Sequence, residues 1–127
     1  MFDIIAGPND LRAPKKYWLL TKEKKDDLCN GAGPKNFGWL IPDTIWGLKI
    51  TEAANIHDYM YIVGAAVIED KQTADRVFLN NMIRIIQRKT KWTWLKKLRL
   101  MRAKKYYHAV DLCGGPSYWW EKDSKIV

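Results

Sequence analysis

Three polar residues stand where apolar ones belong. His57 and Tyr61 lie one helical turn apart on a face shared with Ala53 and Met60, so both point inward. Asp75 falls in the centre of an apolar stripe formed by Phe78, Leu79, Met82, Ile83, Ile85 and Ile86, with Arg76, Asn80, Arg84 and Gln87 opposite. An ionised carboxylate aimed into a core costs several kcal/mol, on the order of the buried-ion penalty, unless it is paired and hydrogen-bonded. Contact with both the imidazole of His57 and the phenol of Tyr61 would satisfy all three groups at once. A carboxylate bonded to one ring nitrogen also fixes the tautomer and leaves the other nitrogen as an acceptor, as a general base for water requires. The same sequence reads equally as a buried network in which histidine and aspartate merely satisfy each other.

Asp58 adjoins His57 at the edge of the buried face, where it gains nothing from core packing but can hold a hard cation beside the imidazole. Upstream, the run from Cys29 to Pro34 contains Gly31 and Gly33, which allow a tight loop turning carbonyls toward one point. One carboxylate with several carbonyl oxygens is a calcium set.

The elements that must position these residues follow from punctuation and periodicity. Four of the five prolines and five of the eight glycines lie in the first fifty of the 127 residues, which predicts a loop-rich N-terminal third over 1–50. Within it, residues 17–21 read as a short strand and residues 22–27 as a charged, solvated turn. Thr51 can cap a helix running to Val63, with Glu52, Asn55 and Tyr59 on its solvent face and Gly64 ending it. Asp70 can cap a second helix from Lys71 to about Lys89. The short connection predicts an antiparallel pair over 51–89 that brings Asp75 to His57 and Tyr61. A third, basic helix from about Trp92 to Leu112 and an aromatic tail with Tyr118, Trp119 and Trp120 complete 90–127. The expected fold is mainly α, one small domain built on the antiparallel pair. Tyr106 and Tyr107 are candidates to give Asp75 a second hydroxyl.

The combination of a Gly-x-Gly loop, His57-Asp58-Tyr59-Met60-Tyr61 on one helix and Ala74-Asp75-Arg76-Val77-Phe78 on the next resembles the phospholipase A2 superfamily. It is similar to the reduced, disulfide-poor versions, such as the parvoviral capsid phospholipase domain. The segment 30–78 equally resembles a phage and prophage domain family of unknown function, with a small-residue loop ending in proline, then H-D-Y-x-Y and A-D-x-x-F. The phospholipase resemblance implies that His57 activates water, that Asp75 orients it and that Tyr61 hydrogen-bonds Asp75. It implies that Asp58 and the backbone carbonyls of Cys29, Gly31 and Gly33 hold Ca²⁺, which supports ester hydrolysis without a covalent enzyme intermediate. The chain departs from the animal secreted enzymes in a longer stretch between Gly33 and His57 and in lacking their flanking cysteines. Pro34 replaces the second glycine of the loop's closing pair, and it offers no backbone N–H to an oxyanion.

Charge is distributed unevenly. Twenty-two Lys and Arg against fourteen Asp and Glu give a net charge of +8. Nine of those basic residues and no acid lie between Arg88 and Lys105, so the rest of the chain sums to −1. Trp92 and Trp94 with Lys96, Lys97 and Arg99 suit an anionic lipid interface. The same run could track a nucleic-acid backbone, or be a solvated face with its two tryptophans in the core. Two cysteines, Cys29 and Cys113, exclude a disulfide-dense scaffold, and two histidines without a C-x-x-C make a structural zinc site improbable. No signal peptide or spanning helix is expected, and the phage-type resemblance suggests a protein encoded by a phage or prophage, acting in a bacterial host or on a virion.

Three functions are compatible with these features. The first is a calcium-dependent phospholipase A2-like hydrolase on an anionic phospholipid surface. The second is a non-enzymatic phage structural or assembly protein, with the His57, Asp75 and Tyr61 network fixing its helix packing and other phage proteins as partners. The third is a nucleic-acid-binding module.

Overall fold

The computed structural model describes residues 2–24, 42–65, 67–113 and 118–119. The mainly helical expectation holds. In chain order the elements are β1 (Ile4–Ala6), a 3₁₀ turn (Pro8–Asp10), β2 (Arg12–Pro14), α1 (Lys15–Trp18), β3 (Thr44–Ile45), β4 (Leu48–Lys49), α2 (Thr51–Val63), α3 (Ile68–Lys89) and α4 (Thr93–Cys113). Two small antiparallel hairpins flank the helices, with Ile4 opposite Pro14 in one and Thr44 opposite Lys49 in the other. The segment expected to be a strand at 17–21 instead forms the helical turn α1. Its Tyr17 is fully buried, packs edge-on against Tyr59 and donates to Glu52. Those tertiary contacts outweigh the β-propensity of a Tyr-Trp run.

α2 and α3 run antiparallel. His57 lies against Phe78, and Tyr61, one turn later in α2, lies below Lys71, one to two turns earlier in α3. α4 returns antiparallel to α3, joined by Thr90 to Arg99 near the corner and by Lys71 to the Val110 carbonyl far from it. Glu69 and Asp70 in the first turn of α3 and Arg88 and Lys89 in its last complement the helix dipole. Neither expected cap forms: Thr51 and Asp70 lie inside the first turns of α2 and α3, whose N-cap positions are Ile50 and Val67, and Asp70 Oδ2 instead accepts the N–H of Ala65 in the connection at 2.8 Å. Gly64 ends α2 in a crowded place. A Cβ there would stand 2.7 Å from the Tyr118 hydroxyl and 2.8 Å from the Met60 carbonyl oxygen, so the position needs glycine for close approach.

The core gathers Ile50, Ile56, Met60, Phe78, Met82, Ile86, Ala103 and Val110 between the three long helices. The face of α2 expected to meet solvent is covered at Tyr59, which is 5% exposed, because the N-terminal hairpin and α1 pack on that side. Asn81 fastens the hairpin to α3, accepting the Arg12 N–H at 2.7 Å and donating to the Arg12 carbonyl at 2.8 Å. α4 buries only Ala103, Tyr106 and Val110, a seam of one residue per turn. Trp92 and Trp94 stay 62% and 63% exposed, so they are not core residues. Among the described residues, no helix is long and apolar enough to cross a membrane.

Candidate functional site

The antiparallel packing of α2 on α3 delivers the expected meeting. His57 Nε2 lies 2.8 Å from Asp75 Oδ1, and the Tyr61 hydroxyl donates to the same oxygen at 2.6 Å. Because an ionised carboxylate only accepts, Nε2 carries the imidazole proton and Nδ1 carries the lone pair. The ring is held on two more sides, by Tyr61 at 4.2 Å and Phe78 at 4.8 Å between centroids. Asp75 is fully buried and His57 is 2% exposed.

One partner was not foreseen. Lys71 donates to Asp75 Oδ2 at 2.7 Å and to the carbonyls of Val110 and Asp111 at 3.2 and 3.3 Å. Its three N–H bonds are thereby accounted for, and it ties the start of α3 to the end of α4. The signal was present as a lysine four residues before the aspartate, the spacing of an ion pair on one helix face. Lys71 takes the place expected for a tyrosine of α4: Tyr106 donates instead to the Thr44 carbonyl, and Tyr107 lies beside His108.

The electrostatics follow from burial and from this pairing. Burial pushes the His57 pKa down against the pull of Asp75, and Lys71 pushes the same way as burial, so the ring is neutral at pH 7. For Asp75 burial pushes up, but the hydrogen bonds from His57, Lys71 and Tyr61 prevail and keep it low and ionised. Burial, with the neighbouring carboxylate, pushes the Tyr61 hydroxyl up, so it remains a donor. The arrangement is a neutral imidazole with its tautomer set by a carboxylate whose own charge is offset by a lysine.

Asp58, next to His57, is half-buried, and desolvation pushes its carboxyl up to about 8. A cation bound at this carboxylate would favour its ionised form. The expected carbonyl ligands Cys29, Gly31 and Gly33 lie outside the described residues. Among the described residues, no three His, Cys, Asp or Glu come together as a metal cluster. Cys113, at the end of α4, is an exposed free thiol. Of the residues expected at a lipid interface, Trp92, Trp94 and Lys97 are exposed and Lys96 is half-buried. Arg99 is half-buried and engaged with Thr90 and the Trp46 carbonyl.

A family model described as a protein of unknown function (DUF1353) matches residues 17–96, a span holding His57, Asp58, Tyr61, Lys71 and Asp75. Of the two resemblances carried by the sequence motifs, the one to a domain family of unknown function is compatible with this match, and no phospholipase A2 family model matches. No curated protein and no solved structure matches the chain.

Proposed function

The chain belongs to the DUF1353 family of proteins of unknown function, and we propose that its His57–Asp75 pair is the water-activating dyad of a calcium-dependent, phospholipase A2-like hydrolase acting on acyl esters of phospholipids. The observation that carries this reading is the 2.8 Å bond from His57 Nε2 to a carboxylate held by two further donors, Tyr61 and Lys71. It sets Nδ1 as the proton acceptor, while the neutral ring is in the protonation state a base needs at pH 7.

In the proposed reaction, Nδ1 of His57 takes a proton from water as the water oxygen bonds to the ester carbonyl carbon. Asp75 stabilises the imidazolium that forms, and Tyr61 and Lys71 keep the carboxylate aimed. His57 then returns the proton to the departing alkoxide oxygen as the carbon–oxygen bond breaks, releasing a fatty acid and a lysophospholipid. Asp58, with the carbonyls of Cys29, Gly31 and Gly33, would hold Ca²⁺, which when bound supplies charge for the ester carbonyl oxygen. Pro34 offers no N–H to that oxygen.

The 2% exposure of His57 favours a second reading, in which the same cluster is a structural network and the protein a phage assembly component. One experiment separates the two. Hydrolysis of anionic phospholipid vesicles is followed with Ca²⁺ and with chelator, for the unaltered chain, His57→Ala and Asp75→Asn, each verified as folded by circular dichroism. The hydrolase reading expects turnover that needs both Ca²⁺ and His57. No turnover in the unaltered chain, with His57→Ala lowering only the unfolding temperature, leaves the network structural.

A further inference from the structure

Trp46 occupies a position that packing does not explain. It stands with Gly47 at the tip of the β3–β4 hairpin, where both residues adopt the left-handed region, at φ +46° and +78°. Glycine accepts this at no cost, whereas a tryptophan there is strained by about 1 kcal/mol. The indole is nevertheless 53% exposed. Two arginines of α4 fix it in place. Arg99 donates through Nη2 to the Trp46 carbonyl at 2.9 Å and through Nη1 to the Thr90 hydroxyl at 2.8 Å, and the Arg102 guanidinium lies 5.4 Å from the ring centroid.

Arg99 therefore ties the hairpin tip to the α3–α4 corner, which carries two more exposed indoles. Trp92 and Trp94 lie nearly parallel there, 6.4 Å apart at 18°. Arg99 thus links the segment of one exposed tryptophan, Trp46, to the corner that carries the other two, and Trp92, Trp94 and Arg99 itself lie in the run of nine basic residues without an acid. Trp46 stands at the tip of a hairpin, Trp92 between α3 and α4, and Trp94 in the first turn of α4. Exposed indoles beside arginines and a run of basic residues suit the headgroup zone of an anionic bilayer, where the ring is half-inserted and the cations meet lipid phosphates.

We propose that Trp46, Trp92 and Trp94 form a docking surface for an anionic lipid bilayer, with the hairpin tip, locked by Arg99, as its projecting point. Neither His57 nor Ca²⁺ takes part in docking, so the surface stands or falls apart from the hydrolase reading.

The test is co-sedimentation of the full chain with vesicles of phosphatidylcholine alone or mixed with phosphatidylglycerol, in chelator. Binding is expected to the mixed vesicles only. Trp46→Ala is expected to weaken it about tenfold, and Lys97→Gln about fivefold, with His57→Ala unchanged. Leu112→Ala, at an exposed position far along α4, serves as the control and is also expected to bind unchanged. Equal binding to both vesicle types, equal binding of Trp46→Ala and the unaltered chain, or tight binding to a single-stranded oligonucleotide with none to vesicles would each overturn the proposal. Turnover of a monomeric short-chain phospholipid by the same variants reports separately on the hydrolase reading.

Discussion

Replacing Lys71 by methionine tests whether the charge on Asp75 is shared between the lysine and the histidine. Methionine refills most of the volume but removes the ammonium that lies 2.7 Å from a fully buried carboxylate oxygen. Breaking a buried pair from one side costs about 3–5 kcal/mol, because the remaining charge is uncompensated. His57 can supply that compensation by taking up a proton. In the unaltered chain its pKa lies below the ordinary 6.5, because burial and Lys71 both disfavour the charged ring. The unfolded chain then binds the extra proton, and this group's contribution to stability falls as pH drops below 6.5. In Lys71→Met the bare carboxylate raises the His57 pKa above the unfolded value, so its contribution is present at low pH and lost as pH rises through the folded pKa. The observable is the difference between variant and unaltered chain, in which groups common to both, such as Asp58, cancel. That difference is small near pH 5 and grows toward the full 3–5 kcal/mol near pH 8, at up to about 1.4 kcal/mol per pH unit per proton. Urea unfolding across this range measures it, and an NMR titration of the imidazole assigns it to His57. A deficit that stays constant with pH, or a His57 that titrates at the same pH in both proteins, would refute the shared charge.

Three further outcomes follow from the geometry. Asn81→Leu keeps the side-chain volume but leaves the Arg12 N–H and carbonyl without their partner, so urea unfolding should show a loss of about 2–3 kcal/mol. Gly64→Ala places a methyl 2.7 Å from the Tyr118 hydroxyl and 2.8 Å from the Met60 carbonyl oxygen. It should cost about 1–3 kcal/mol, and less when introduced into Tyr118→Phe, which has already given up the hydroxyl's bond to the Ala65 carbonyl and removes one of the two clashes; thermal unfolding of the two backgrounds measures the difference. The Asp58 carboxyl is pushed from 3.8 up to about 8, so its contribution to stability is lost as pH rises between those values. Without Ca²⁺, Asp58→Asn should therefore be the more stable protein at neutral pH, by on the order of 1 kcal/mol for a half-buried group. It should also lose any rise in unfolding temperature that Ca²⁺ confers on the unaltered chain.

The helix pair and the meeting of His57, Tyr61 and Asp75 were legible because helical periodicity alone decides which side chains share a face, and a short connection decides that two helices are antiparallel. Lys71 stands one turn before a buried acid, the spacing of an ion pair, but at the start of a helix that spacing alone does not distinguish a buried partner from a solvated lysine. Tyr59 was misplaced for a different reason. Its angular position opposite His57 and Tyr61 is correct, but one helix cannot show that a second layer, the N-terminal hairpin with α1, covers its outer face. Asn81 shows the same limit, since nothing in its spacing identifies Arg12, 69 positions away, as the backbone it completes. α1 was misread because Tyr17 and Trp18 carry β-propensity, whereas contacts to Tyr59 and Glu52 determine their conformation.

Lys71 also changes what the cluster can do chemically. A histidine paired with an isolated buried carboxylate would hold its proton strongly and be charged at neutral pH. With the lysine on the opposite oxygen, the carboxylate still orients the ring through Oδ1 but no longer forces it to carry charge. The imidazole is then a weaker base that is free of its proton at pH 7, and each turnover must charge it transiently against both burial and Lys71. As the ring gains its positive charge the matching negative charge builds on the substrate's oxyanion, so catalysis in such a site depends on stabilising that oxyanion. In the hydrolase reading a cation held at Asp58 would supply that stabilisation. Without one, the same three hydrogen bonds describe a well-compensated structural core. The hydrolase and structural readings therefore share every contact of the dyad and differ in whether Asp58 holds a cation and water reaches Nδ1.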